Sequence, residues 1–426
     1  MSPTRWQIEP PPLAPGAGAQ WLIAALVALG PFSLTMYQPA LPSIATSLNI
    51  TTAQVQLTLT VYLASFAIGQ LIYGPLSDHF GRRRTLLLGL AIFVAGAIAC
   101  ALATSAAVLI AARVLQGLGA CAGPALGRAM IRDLYGAKGS AKAMAFVASA
   151  LSIAPAIAPV FGGYIAGAAG WPWIFATLAL VGTGMFVFVL LRVPETNPYV
   201  SRGAFRFVSM LGSYIQLAKS RRYLGYLAIA AVPVAGSLSF QTAAPFIIVG
   251  ELGVHPSEFG LLMVSLTAAY FVGTLVANRL AVHAAGVNRS IMLGSALLLV
   301  GAALQMTFAL NLSLSIWSVL APQMIWLMAM GIVMPNAMAG AVAPFPMMAG
   351  AAASLQGFAM MAAGALSSLV LSRLGAGVGS LGLMMCTLAV AGTAVFAWAT
   401  GQHSAPERVL GPRKKPAVHL LCCTAP

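Results

Sequence analysis

GQLIYGPLSDHFGRRRTLLLG, residues 69–89, decides how the chain reads. An apolar run reaches Gly74, turns through an acid at Asp78 and a glycine at Gly81, meets Arg82, Arg83 and Arg84, and restarts as a second apolar run. A short basic hinge between two hydrocarbon-rich stretches is what a loop between neighbouring membrane spans looks like. The pattern returns as GTLVANRLAVHAAGVNRSIMLG, residues 273–294, with Arg279 and Arg289 but without the acid.

Working outward, apolar stretches of spanning length recur from Trp21 to Thr400 in a chain that is 60% hydrophobic and 7% charged. A globular protein is roughly one quarter charged, so the class is a polytopic membrane protein. The runs are continuously apolar rather than alternating, which excludes a strand barrel. Spans are expected near 20–41, 55–76, 85–104, 106–128, 143–165, 172–193, 223–249, 259–281, 290–309, 313–340, 346–371 and 379–399. The fold class is therefore all-α, with twelve transmembrane helices in two six-helix halves. In domain terms this gives an N-terminal tail (1–20), a first half (21–193), a basic linker (194–222), a second half (223–399) and a basic tail (400–426).

The net charge of +15 would suggest nucleic acid in a soluble protein, but here the charge is sorted by loop. All but two of the 22 Lys and Arg residues fall in the termini and in alternate loops; Arg373 lies opposite and Arg113 lies within a span. The positive-inside rule then puts both termini in the cytoplasm of a multi-pass inner-membrane protein, with the lipid bilayer as partner and no nucleic acid. The N-terminal segment is too polar for a signal peptide's apolar core, so the first span is expected to be retained. Five cysteines (Cys100, Cys121, Cys386, Cys422, Cys423) make neither a paired framework nor a metal spacing, and the histidines lie in loops or the tail. No metal, cofactor or catalytic group is expected, and the chain reads as a monomer that is not an enzyme.

GPLSDHFGRRR (74–84) resembles the loop signature of the major facilitator superfamily. MYQPALPSI (36–44), RVLQGLGACAGPALGRAMIRDLY (113–135), APAIAPVFGGY (154–164), SFQTAAPFIIVGELGVHPSEFG (239–260) and FPMMAGAAASLQG (345–357) are similar to its Bcr/CflA drug-resistance efflux branch. The resemblance implies that Gly74, Asp78, Gly81, Arg82 and Arg83 form a conformational latch whose ion pairs change partners as the halves rock. His79 stands where the family usually has Arg or Lys. It also implies that Pro155, Pro159, Gly162 and Gly163 belong to an antiporter-type helix. On that helix Ala154, Ala158, Gly162 and Ala166 form a small-residue stripe along which another helix can approach. Gly119, Gly123 and Gly127 make a similar stripe on span 4.

A charge within a span is costly and usually functional. RVLQG matches the branch's span-4 arginine, which implies that Arg113 faces the aqueous cavity, with Gln116 and Gly117 on its side of the helix. Where many relatives carry a span-1 acid, this chain has Thr35, and none of its seven acids falls within a span. The resemblance implies proton-linked antiport of drugs or other small molecules, while the missing carboxylate removes the usual proton carrier. The alternative is a carrier of an anionic or zwitterionic metabolite that pairs with Arg113, by exchange or facilitated passage. Spans 1, 4, 7 and 10 line the cavity in this family, so Thr35, Tyr37, Gln38, Arg113, Gln116, Gln241, Gln323, Trp326 and Asn336 are the candidate substrate and coupling residues.

Overall fold

The computed structural model describes residues 17–197, 207–282, 286–311, 313–345, 348–375 and 377–401. The tails with Cys422 and Cys423, and the linker stretch with Arg202 and Arg206, lie outside the described residues. In chain order the helices are α1 (Ala17–Met36), α2 (Leu41–Ser47), α3 (Thr52–Phe80), α4 (Arg82–Ala101), α5 (Ala106–Ala120), α6 (Ala122–Ala169) and α7 (Pro172–Arg192). There follow α8 (Phe207–Ala218), α9 (Arg221–Ala244), α10 (Pro256–Val282), α11 (Val287–Asn311), α12 (Ile316–Val342), α13 (Ala349–Leu374) and α14 (Val378–Gly401). A 3-10 turn (Gln38–Ala40) joins α1 to α2, and a π-helical turn (Pro245–Glu251) continues α9.

Eleven stretches among the described residues are long and apolar enough to cross a membrane, and Ile153–Ala169, the apolar end of α6, is a shorter twelfth. Local chemistry sets their starts. Thr51 and Gln54 form a capping box on α3, Ser315 and Ser318 form one on α12, and Ser105 and Ser220 accept from the first turns of α5 and α9.

Three details differ from the sequence reading. Span 1 does not run unbroken: Pro39 and Pro42 follow α1, and the chain turns through a 3-10 segment into α2. Spans 4 and 5 have no open loop between them: two helices, numbered together as α6, meet at a kink at Gly136 (φ 61°, ψ −175°), a conformation closed to most side chains. The basic linker holds the helix α8, with Leu211 and Ile215 exposed and Leu217 buried.

Helices α1 to α7 pack on one another, as do α9 to α14, and the two halves meet chiefly through α3 with α13 and α6 with α10. Water cannot drive helices together inside lipid, so close contact depends on small residues that let backbones approach. Gly123 lies on the Leu26 carbonyl and Gly162 on the Met36 carbonyl, tying α6 to α1. Across the halves, Gly163 meets Pro256 and Ser257, while Gly260 meets Pro159 and Val160. The outer surface carries large apolar residues such as Leu180, Leu191 and Trp317, as lipid contact demands.

The loops rich in arginine lie at one end of the bundle, called here the basic end. The ends formed by α2, the start of α3, the π-helical turn and the start of α10 form the opposite end.

Candidate functional site

Arg113 sits seven residues into α5 and is 0% exposed. Its guanidinium carbon lies 4.2 Å from the ring centre of Tyr37, 4.1 Å from that of Tyr62 and 5.9 Å from that of Phe175. Nη1 donates to Gln116 Oε1, one turn on, whereas Nε and Nη2 have no hydrogen-bond partner. The rings are themselves held. The Tyr62 hydroxyl donates to the Gly30 carbonyl at 2.9 Å and lies 2.7 Å from Ser33 Oγ, and the Tyr37 hydroxyl lies 3.3 Å from Thr58 Oγ1.

In this conformation Arg113 is enclosed within the first half. The magnitudes account for it. An arginine at mid-helix costs about 2.5–3.5 kcal/mol on insertion scales. Two desolvated cation–π contacts at about 2 kcal/mol each are enough to offset that without a carboxylate. Thr35 plays no part in holding the cation, since its hydroxyl donates to the Pro31 carbonyl of its own helix at 3.0 Å.

The second half has a positional counterpart without charge. Ser105 caps α5 and Ser315 caps α12, and eight residues after each cap come Arg113 and Gln323. Gly96 lies against the Gln116 backbone, and Gly301 lies against the Trp326 backbone nitrogen at the same offset. Gln323 is fully buried with neither side-chain atom bonded, and Trp326 Nε1 donates to the Pro233 carbonyl at 3.0 Å. Asn336 is not brought to this layer: it lies thirteen residues along α12, about 20 Å at 1.5 Å per residue. Its amide donates to Ile332 O at 2.8 Å, within its own helix.

Gln38 and Gln241, from different halves, are brought together: Gln38 Nε2 donates to Gln241 Oε1 at 2.7 Å. Around them runs a seam that the sequence reading missed. Gln56 Nε2 donates to the Thr242 carbonyl at 3.2 Å, and Ser368 Oγ lies 3.1 Å from Thr60 Oγ1 and 2.8 Å from Thr242 Oγ1. The only sequence signal was Gln56 and Thr60 at i, i+4 on an otherwise apolar face. The seam lies toward the opposite end, so that end is bonded shut between the halves.

At the basic end the latch residues bond within the first half. Asp78 pairs with Arg82 at 2.6 Å, Arg82 Nε with Asp133 at 3.1 Å, and Arg82 Nη1 with Ser77 Oγ. Gly81 has φ 94°, and a side chain there would strike Glu195. The Glu195 carboxylate accepts from the backbone N–H of Arg82 at 2.7 Å and of Arg83 at 3.2 Å, capping α4. Arg83 itself donates to the Leu190 carbonyl at 2.7 Å, and Gly74 has open space beside it. Asp133 and Glu195 were readable only as two of seven acids; nothing local tied them to Arg82. Pro155 and Pro159 lie in the part of α6 that meets α10 and α1.

Residues 23–368 match the model of the Major Facilitator Superfamily. The bicyclomycin resistance protein homolog of Haemophilus influenzae is 32% identical over 82% of this chain and 88% of its own. Multidrug resistance protein D of Escherichia coli is 30% identical over 85% and 91%. A crystal structure of a D-xylose-proton symporter superposes with a TM-score of 0.68 at 16% identity, covering 90% of this chain and 98% of that one, which speaks for the fold. With twelve helical spans in two halves and relatives of that kind over most of its length, the chain is a multi-pass membrane transporter, not an enzyme, and belongs to the major facilitator superfamily, in its Bcr/CflA-like drug-resistance branch.

Proposed function

We propose that this chain exports drugs or other small molecules across the inner membrane by alternating access, with the basic end and both termini in the cytoplasm. The observation that carries the reading is the seam: the halves are hydrogen-bonded at the opposite end through Gln38–Gln241, Gln56–Thr242 and Ser368. Meanwhile the ion pairs Asp78–Arg82 and Arg82–Asp133 at the basic end stay within one half. A transporter of this plan works by breaking one such closure while making the other. Relatives named for bicyclomycin and multidrug resistance support drugs as the substrate class.

Proton-linked antiport remains the coupling we favour, carried by a route other than a span-1 carboxylate. The cation of Arg113 is balanced by tyrosine faces rather than by a titrating acid, and Thr35 cannot take a proton. A second reading, transport of an anionic metabolite, is favoured by the unpartnered Nε and Nη2 of Arg113. Its enclosure between Tyr37 and Tyr62 weighs against that reading.

Inverted vesicles test the proposal. Energised vesicles should accumulate a labelled drug such as chloramphenicol, and absence of uptake across a drug panel, with the protein present at normal abundance, would overturn it.

A further inference from the structure

The span 4 expected from sequence ends at Arg128, but the helix continues to Gly136, eight residues or about 12 Å further, so this cation stands inside the bundle. It lies five residues, about 7.5 Å, deeper than Asp133, whose pair with Arg82 marks the level of the latch. A helical side chain tilts toward the N-terminus of its helix, so the guanidinium aims deeper still. Gly127 beside it rests on Val27 of α1, and Cys121, two turns earlier on the same side, rests on Gly69 of α3. Arg128 is exposed, yet protein crowds it on most sides at longer range. Exposure within such crowding describes a passage between helices, not a surface turned to lipid. Neither a hydrogen bond nor an ion pair engages it among the described residues.

The second half offers no charge at the matching level. Arg128 comes twenty-three residues after the Ser105 cap, and twenty-three after the Ser315 cap comes Met338, exposed and apolar. No carboxylate among the described residues is placed to offset the arginine. Asp78 and Asp133 are engaged by Arg82, and Glu195 caps α4. Glu251 and Glu258 belong to the π-helical turn and the start of α10, at the opposite end. The two rings closest to Arg113, Tyr37 and Tyr62, already hold that cation and are not free to hold another. An organic cation entering from the basic end therefore meets a like charge at reduced dielectric and finds no acid to replace its lost hydration. An uncharged or anionic compound meets no such barrier.

We propose that Arg128 is a charge filter at the basic-end mouth of the transport path: drugs with an apolar body and no positive charge pass, and organic cations are refused. This rests on the export reading above and narrows its substrate class.

Inverted vesicles energised by a pH gradient, with the membrane potential collapsed by potassium and valinomycin, compare uptake of labelled chloramphenicol, which is uncharged, with that of tetraphenylphosphonium. Vesicles lacking the protein give the baseline. The wild type should accumulate chloramphenicol and leave tetraphenylphosphonium at baseline. A unit charge about 10 Å away at an effective dielectric near 20 is worth about tenfold. Arg128→Gln should therefore raise the ratio of tetraphenylphosphonium to chloramphenicol about tenfold, Arg128→Glu should raise it further, and Arg128→Lys should keep it low. A gain of this kind cannot come from misfolding. Wild-type uptake of tetraphenylphosphonium comparable to that of chloramphenicol would overturn the proposal. So would a ratio unchanged in both Arg128→Gln and Arg128→Glu at normal protein abundance. Absence of chloramphenicol uptake by the wild type would count against export itself, and binding of the same two probes to wild type and Arg128→Gln in nanodiscs then decides the filter by the same ratio.

Discussion

Replacing Gln241 with leucine should open the seam. Its Oε1 accepts from Gln38 Nε2 at 2.7 Å, and Gln38 is 1% exposed, so no water replaces the lost acceptor while the halves are closed. Interhelical hydrogen bonds in membranes are worth about 0.6 kcal/mol on average and up to about 1.7. A buried donor left without an acceptor adds a desolvation cost of about 1–3 kcal/mol. Both costs fall on the closed state alone, since an open seam lets Gln38 reach water. Near the lower end of that range, a shift of about 2 kcal/mol changes the closed-to-open ratio roughly thirtyfold. Nitroxide labels at Thr46 and Glu251, exposed positions on α2 and the π-helical turn, flank the seam and report the ratio by double electron–electron resonance. The wild type should give a short distance, and Gln241→Leu should add a longer one. Adding Gln38→Leu should bring the short distance back, because removing both partners costs little. An unchanged distribution in Gln241→Leu would refute the reasoning.

Four further outcomes follow from the site. Tyr62→Leu removes one face from Arg113 and should cost about 2 kcal/mol of thermal stability with loss of drug export, whereas Tyr62→Phe keeps the ring and should retain more of both; equal effects in melting and export assays would count against a stacking role. Glu195→Gln weakens the cap on α4, so amide hydrogen exchange at Arg82 and Arg83 should speed about tenfold, from charge-assisted bonds worth about 1.5–3 kcal/mol; unchanged exchange would leave Glu195 without that role. Asp78→Asn should reduce export at normal protein abundance, and unchanged flux would mark Asp78 as a solvated loop charge. Wild-type export should rise with an imposed pH gradient by a route that needs no span-1 acid, so Thr35→Val should leave that dependence unchanged; export indifferent to the gradient in the wild type would refute proton-linked antiport.

The membrane class, the twelve spans and the bias of charge toward one set of loops were legible in the residues alone. Lipid makes these properties local: each span must satisfy its own backbone and carry its own hydrocarbon, whatever its neighbours do. Small-residue stripes were legible for the same reason, because a four-residue period on a helix is a property of the chain. What those stripes touch was not. Gly162 meets Met36 and Gly163 meets Pro256 only because α6 stands between α1 and α10. The burial of Arg113 was likewise a tertiary outcome: Tyr62 lies 51 residues away in sequence and had no mark to distinguish it from other span aromatics. The same holds for Glu195, which reaches the start of α4 across more than a hundred residues, and for the pairing of Gln38 with Gln241 across the two halves. Composition sets which residues enter the membrane; only the packing of helices distant in sequence decides which polar groups find one another there.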